Sequence, residues 1–390
     1  MIALRGITWN HERGIMPLVH ASSVFQQKHN GVNLSWDARS LADFERFPLE
    51  QLADRYDLIM IDHPHLGSAS AERLLAPLDE LIPAAFLDEQ QANSVGPSHR
   101  SYCWEGRQWA LAVDAAAQVS AYRSDLLESA GLALPQTWDQ VRALAKALPS
   151  STAIGLPFVP VHAFASYFTV TAQLGGEAFW SKEEDIPRPV GIEAINLLRT
   201  ILKEAHPLSV HGDPIAMYER MSTTDEVAYV PLMYGYSNYS RAGFRPKTVY
   251  CGNIPSDTGE PAGSMIGGVG LAISAKCPYP DLAAKFAMMT AEASFQRSDY
   301  FANGGQPGHR SAWKDAVVNE QSSGFFANTL RTLDLGSVRP RFNGYIPFQE
   351  EAGELIRQAV VDPREDERET VHRLNKLIHR YRPSQACRRS

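Results

Sequence analysis

Asp114 is the residue in this chain around which ligand chemistry can most readily be built. It stands between residues 108–113, which read as a strand, and 119–122, which read as a second short one, where the chain would pass from one domain to another. A carboxylate at such a crossing faces a cleft, and clefts bind ligands. It accepts hydrogen bonds from hydroxyl groups, and a ligand lacking the hydroxyl would leave it desolvated and unpaired. On that reading Asp114→Ala weakens binding with little loss of stability.

Other reactive types gather at three strand ends: Trp9-Asn10-His11, Trp36-Asp37-Ala38-Arg39 and Asp62-His63-Pro64-His65. Asp37, Asp62 and Asp114 lie on different elements, so no carboxylate pair for hydrolysis can be identified. His63 and His65, with Asp62 and His11, form the best metal candidate, because zinc takes imidazole and carboxylate ligands. The alternative is that Pro64 shapes a loop whose imidazoles meet solvent or a neutral ligand. His11-Glu12-Arg13-Gly14 lacks the second His of a zinc-protease helix, and Gly235-Tyr236-Ser237 lacks the closing Gly of a nucleophile elbow. The glycines of 267–270 lie within a strand instead of before a helix, so they are no phosphate cradle. No cofactor and no resident metal are expected.

The elements that must position these residues alternate. Segments 4–9, 32–36 and 56–62 read as strands and 16–27 as a helix. That order favours a mostly parallel sheet with helices on both sides, and such sheets bind ligands at the carboxyl ends of their strands. After Asp114, residues 123–130 fit a helix stopped by Gly131, and Thr137-Trp138-Asp139-Gln140 reads as a capping box for the next. Helices follow at 164–174 and 192–202, a strand at 227–233 and a Gly-rich strand at 267–273. A helix after Pro280 and two more, at 348–361 and 365–380, complete the pattern.

The chain has 390 residues, 44% hydrophobic and 21% charged, which suits two globular domains. Its net charge of −7 and its lack of a basic face argue against nucleic acid as partner. The basic residues Arg380, Arg382, Arg388 and Arg389 read as a solvated end. Cys103, Cys251, Cys277 and Cys387 lie at no metal-ligand spacing and read as free thiols. No apolar run approaches the roughly 20 residues that cross a bilayer. Met1 is followed almost at once by the first strand, so no secretion leader is read.

Trp9, Trp36, Tyr167, Trp180, Tyr234 and Tyr236 fall near strand ends or helix boundaries. Flat apolar faces beside hydrogen-bonding groups suit sugars; the structural alternative for each is core or rim packing.

Residues 106–149 resemble the signature region of the family 1 extracellular solute-binding proteins, which include maltodextrin-binding proteins. The resemblance rests on Asp114, Tyr122-Arg123-Ser124-Asp125-Leu126-Leu127, Ala130-Gly131-Leu132, Pro135 and Thr137-Trp138-Asp139. It extends to residues 56–62, to Leu75-Ala76-Pro77-Leu78-Asp79-Glu80-Leu81-Ile82, to 267–273 and to the helix after Pro280. At the end of strand one the chain carries Trp9-Asn10-His11 where the family has an acidic-basic pair.

The resemblance implies an α/β fold of the two-lobed periplasmic-binding-protein type, each lobe a mostly parallel sheet flanked by helices, with the ligand cleft between lobes. The first lobe is expected at 1–113 plus about 268–312, and the second at 114–267 plus about 313–390. Carried over position by position, the resemblance makes Asp114 a contact to a sugar hydroxyl and Tyr234 a stacking ring. Asn10 and Asp62 become strand-end polar contacts, and the segment from His162 to Tyr167 a helix start that lines the cleft. Trp9, His11, Asp37, His63, Tyr167, Tyr236 and Gly268 complete the expected site, with Gln306 and Arg310 placed there by pairing residues 304–310 with a third crossing.

The implied function is the substrate-binding component of an ABC importer, a non-enzymatic monomer in the periplasm or at the cell surface. It would bind a sugar or polyol, close by hinge motion and present the solute to a membrane permease. Two alternatives stand beside it: a cytoplasmic sensor or carrier of the same fold, and a metal-dependent enzyme using His63 and His65.

Overall fold

Strand β1 (Ile2–Trp9) starts a computed structural model that describes residues 1–41, 43, 49–176, 180 and 185–382. Arg388, Arg389 and Cys387 lie outside the described residues. Helix α1 (Glu12–Lys28) leads to β2 (Val32–Arg39) and β3 (Leu58–Ile61). A short hairpin, β4 (Cys103–Trp104) and β5 (Arg107–Gln108), precedes β6 (Leu111–Tyr122). Then come α2 (Ser124–Ser129), α3 (Trp138–Ala147), β7 (Ala153–Ile154), α4 (Pro160–Gly175), α5 (Arg188–Lys203) and α6 (Pro214–Thr223). Strands β8 (Val227–Tyr234), β9 (Tyr250–Gly252) and β10 (Ile266–Ile273) follow, then α7 (Pro280–Ala291), α8 (Tyr345–Val361) and α9 (Glu367–Tyr381).

The chain divides into two compact units. The first is residues 1–116, 267–318 and 341–343; the second is 117–266, 319–340 and 344–390. The boundary falls inside β6 and again inside β10, so each strand begins in one unit and ends in the other. At these two crossings the chain passes between units within an extended strand, whereas the boundaries at 318/319, 340/341 and 343/344 fall outside the strands.

In the first unit β1 pairs in parallel with β2, from Ile2 opposite Val32 to Trp9 opposite Arg39, and with β3 on its other side. β10 runs antiparallel to β3, with Leu271 opposite Met60. The two-residue period of these strands fills two cores. Leu4, Leu34, Leu58 and Met60 pack with Leu18, Ala21 and Phe25 of α1 and Phe286 of α7. Ile7, Ile59 and Ile61 pack on the other side with Leu52, Leu66 and Tyr102. Trp36 turns inward: its indole donates to Ser22 at 2.9 Å, and a Cβ on Gly6 would stand 2.4 Å from its ring. Trp36 is therefore a partly buried ring packed against the core.

In the second unit the sheet is mixed. β6 pairs antiparallel with β8 and β9, and β7 pairs in parallel with β8. The capping box holds: Thr137 accepts from Gln140 N–H, and Gln140 accepts from Thr137 N–H at 3.2 Å. Gly131 takes φ +65°, the left-handed stop after α2. α4 packs against α5 and α8, close enough that a Cβ on Gly353 would stand 2.4 Å from the Pro160 carbonyl.

Two boundaries differ from the sequence reading in ways that move site residues. β2 continues to Arg39, which puts Asp37 inside a strand instead of past its end. β6 is one unbroken strand of 12 residues, so Asp114 is a strand residue and no pivot separates 108–113 from 119–122. The run of small side chains through 115–117 needs no break, because each Ala is buried within an extended ladder.

Candidate functional site

β1 ends at Trp9, Asn10 is exposed, and α1 begins two residues on. His11 caps that helix by accepting the Arg13 N–H on Nδ1 at 3.0 Å. The cap fixes the first turn and aims Arg13 back into the first unit. Its Nε donates to Oδ2 of Asp114 at 2.8 Å and its Nη2 to Oδ1 at 2.5 Å. Arg13 is 3% exposed and Asp114 wholly buried. Burial pushes the Asp114 carboxyl above its usual range, while the Arg13 guanidinium opposes that rise. Tyr300 belongs to the same cluster, and burial, then the charge of Asp114, pushes its phenol up.

Asp114 is thus a paired carboxylate, each oxygen already holding one guanidinium donor. Its side chain has no exposed surface, so the pair lies inside the first unit. The sequence reading missed Arg13, having taken Glu12-Arg13 only as part of a failed zinc motif.

Asp62 follows β3 and caps the turn His63–His65, accepting the His63 N–H at 2.9 Å. His63 Nδ1 lies 3.2 Å from the same carboxylate oxygen. The His63 ring is fully buried, edge-on to Tyr102 at 6.1 Å, and His65 is also buried. These imidazoles are packed, not presented, and among the described residues no group of three His, Cys, Asp or Glu could hold a metal ion. The alternative zinc constellation of His11, Asp62, His63 and His65 finds no such group among the described residues.

Asp37 is drawn into an exposed network, accepting from Arg5 at 3.2 Å and from Tyr56 Oη at 2.8 Å. Trp9 is 3% exposed and packs so closely that a Cβ on Gly14 would stand 2.5 Å from its indole. Gly268 adopts φ +91°, and a Cβ there would stand 2.4 Å from the Asp114 carbonyl oxygen. Its part is to let two strands approach, not to present a donor. Residues 304–310 stay within the first unit instead of forming a crossing. The Gln306 amide donates to the Ala115 carbonyl at 2.8 Å, and Arg310 Nε to the Ser94 carbonyl at 2.8 Å. Both side chains brace backbone.

In the second unit the expected aromatics divide. Tyr167 is fully buried within α4, its hydroxyl 2.7 Å from where a Cβ on Gly191 of α5 would sit. Trp180 stacks on Phe168 at 4.7 Å. Both are core, not site. Tyr236 is 5% exposed and meets Tyr218 edge-on at 6.0 Å. Tyr234 closes β8, half-buried, with His162 of α4 edge-on at 6.0 Å and 66°. Burial pushes His162 down to about 4, with Asp213 opposing.

The architecture is that of two-lobed solute-binding proteins, with a mixed sheet and flanking helices. The chain belongs to the bacterial extracellular solute-binding protein family, whose model matches residues 8–289. Maltose-bound MalE3 of T. maritima has a similar fold at 15% identity and TM-score 0.82, covering 97% of this chain and 99% of that one. So does a solute-binding protein of an ABC transporter from Agrobacterium radiobacter K84 in complex with ribitol, at 18% identity and TM-score 0.76, covering 97% and 98%. UgpB of Mycobacterium tuberculosis in complex with glycerophosphocholine follows at 15% identity and TM-score 0.76, covering 98% of each chain. No curated protein sequence matches the chain. Among the described residues no helix is long and apolar enough to cross a membrane.

Proposed function

We propose that this chain is the substrate-binding component of an ABC importer, binding a small neutral polyhydroxylated solute, a sugar or polyol, outside the cytoplasmic membrane. It acts as a monomer, closes by hinge motion and presents the solute to a membrane permease. The observation that carries the reading is the placement of Asn10 and Asp62 at the carboxyl ends of parallel strands β1 and β3, in a chain of this family. The solved relatives bound to maltose and ribitol support the choice of solute class.

A thermal-shift screen against sugars, polyols, amines and acids tests this. A solute at 100 times its Kd raises stability by about 2.7 kcal/mol. A shift confined to hydroxylated neutral solutes supports the reading. A shift by amines or acids alone overturns the solute class, and no shift across a broad library overturns solute binding itself.

A further inference from the structure

The second unit carries a cavity of about 500 Å³ that none of the expected site residues lines. Small-molecule clefts span about 300–1,000 Å³. It lies along β9, where Gly252 pairs with Ser120 of β6, and reaches Asn328 on the helix Phe325–Asp334. Tyr122, another lining residue, stands opposite Tyr229, whereas Gln118 stands opposite Tyr234. At roughly 3.3 Å per residue the cavity is therefore about 13 Å along β6 from the Tyr234 end. The Asn253 side chain is held in one orientation there. Its Oδ1 accepts the Thr332 N–H at 3.2 Å and the Thr332 hydroxyl at 2.9 Å, and that hydroxyl accepts the Ile254 N–H at 3.2 Å. The Nδ2 donors are the end left for a ligand. The Gln136 backbone is pinned on both sides, donating to Gln140 Oε1 at 2.7 Å and accepting the Ser256 N–H at 3.1 Å, with its side chain exposed. A Cβ on Gly252 would stand 3.1 Å from Leu134 and 3.3 Å from Ser120 Oγ, so the missing side chain keeps the space open.

We propose that this cavity is a second saccharide site, which takes one neutral sugar ring through the carboxamides of Gln136, Asn253 and Asn328 and the ring of Tyr122. It is separate from the transport reading and does not depend on it. A carboxamide offers two donors and an acceptor, which suits neighbouring hydroxyls that both donate and accept. Among the described residues no Asp, Glu, Lys, Arg or His lines the cavity, so a charged ligand would enter without a counter-charge. Burial pushes the Cys251 thiol up to about 12 and raises the Tyr122 phenol, so both stay neutral near neutral pH. Tyr122 stacks on Tyr250 at 5.7 Å and 29°, which steadies an apolar ring for the C–H side of a sugar.

The test is NMR of the full chain labelled with nitrogen-15 at asparagine and titrated with glucose. The side-chain amide resonances of Asn253 and Asn328, the latter assigned by its loss in Asn328→Ala, should move together along one saturable curve. Ala327→Trp, at an exposed lining position of the same helix, fills the cavity and should weaken that curve about tenfold or more with Tm unchanged. Should Ala327→Trp fail to fold, Asn328→Ala decides, read at Asn253: the curve must weaken there too. Amide resonances that glucose does not move overturn the site. A curve that both variants leave within roughly twofold of the parent overturns its location. Equal movement with acetate or ethylammonium overturns the ligand class. Binding of glucose elsewhere in the chain leaves these two resonances still, so the outcome is read apart from that of the transport reading.

Discussion

Arg13 on the first turn of α1 and Asp114 inside β6, 101 residues apart in sequence, form a two-pronged ion pair with both side chains buried. The His11 cap sets the direction of Arg13, and the unbroken course of β6 sets that of Asp114. Together they join the start of the first helix to the strand that leaves the first unit.

Removing one partner of this pair should cost far more than truncating an exposed carboxylate. Arg13→Met leaves Asp114 buried and uncompensated, at about 3–5 kcal/mol. Asp114→Ala should destabilise as well, against the expectation from sequence that it spares the fold. The double variant Arg13→Met, Asp114→Leu should recover much of the loss, since no buried charge remains unpaired. Urea unfolding of the four proteins checks it; additive losses would mean that the pair is not coupled.

Much of the scaffold was legible because local patterns and tertiary packing agree. The capping box at Thr137, the Gly131 stop and the apolar run of β3 each carry a one-dimensional signal that the fold simply uses. The site was less legible. Asp114 stood out as a carboxylate amid small residues, but its partner sits 101 residues away, and no spacing rule links a helix start to a distant strand. Tyr167 and Trp180 look like rim aromatics in sequence, since nothing there shows that α5 covers one and Phe168 the other. Asp37 was misplaced because β2 outruns its alternating segment by three residues, held by its full pairing with β1.

Gly268 should tolerate no side chain. At φ +91°, Gly268→Ala adds backbone strain to a Cβ 2.4 Å from the Asp114 carbonyl, and neither strand can give way cheaply. A loss of about 3 kcal/mol or more is expected, from strain and overpacking together. Gly131→Ala, at φ +65° with nothing within 4 Å, should cost only about 1 kcal/mol. Equal losses at the two positions in denaturant midpoints would contradict the close approach.

Acidification should destabilise the protein before its carboxylates titrate. Burial holds His99 and His162 down to about 4, from an ordinary value of 6.5. Below 6.5 the unfolded chain takes up protons at these rings and the folded chain does not, so stability falls as pH drops towards about 4. Between about pH 7 and pH 5 each ring accounts for about 2 kcal/mol at most. His99→Phe should flatten part of that slope; a profile unchanged by the substitution would mean that the ring already charges in the folded state.

Tyr167 offers the sharpest contrast between ring and site. Its hydroxyl is buried in α4 without a hydrogen-bond partner, and burial pushes the phenol well up. Tyr167→Phe removes an unsatisfied polar atom and keeps every ring contact, so Tm should hold or rise, by an amount equivalent to about 1 kcal/mol. Solute affinity should not change, because the ring is fully buried against Gly191. Differential scanning calorimetry with and without a bound sugar measures both quantities in one series. A fall in Tm would reveal a partner for the hydroxyl, and a loss of affinity with Tm unchanged would return Tyr167 to the binding site.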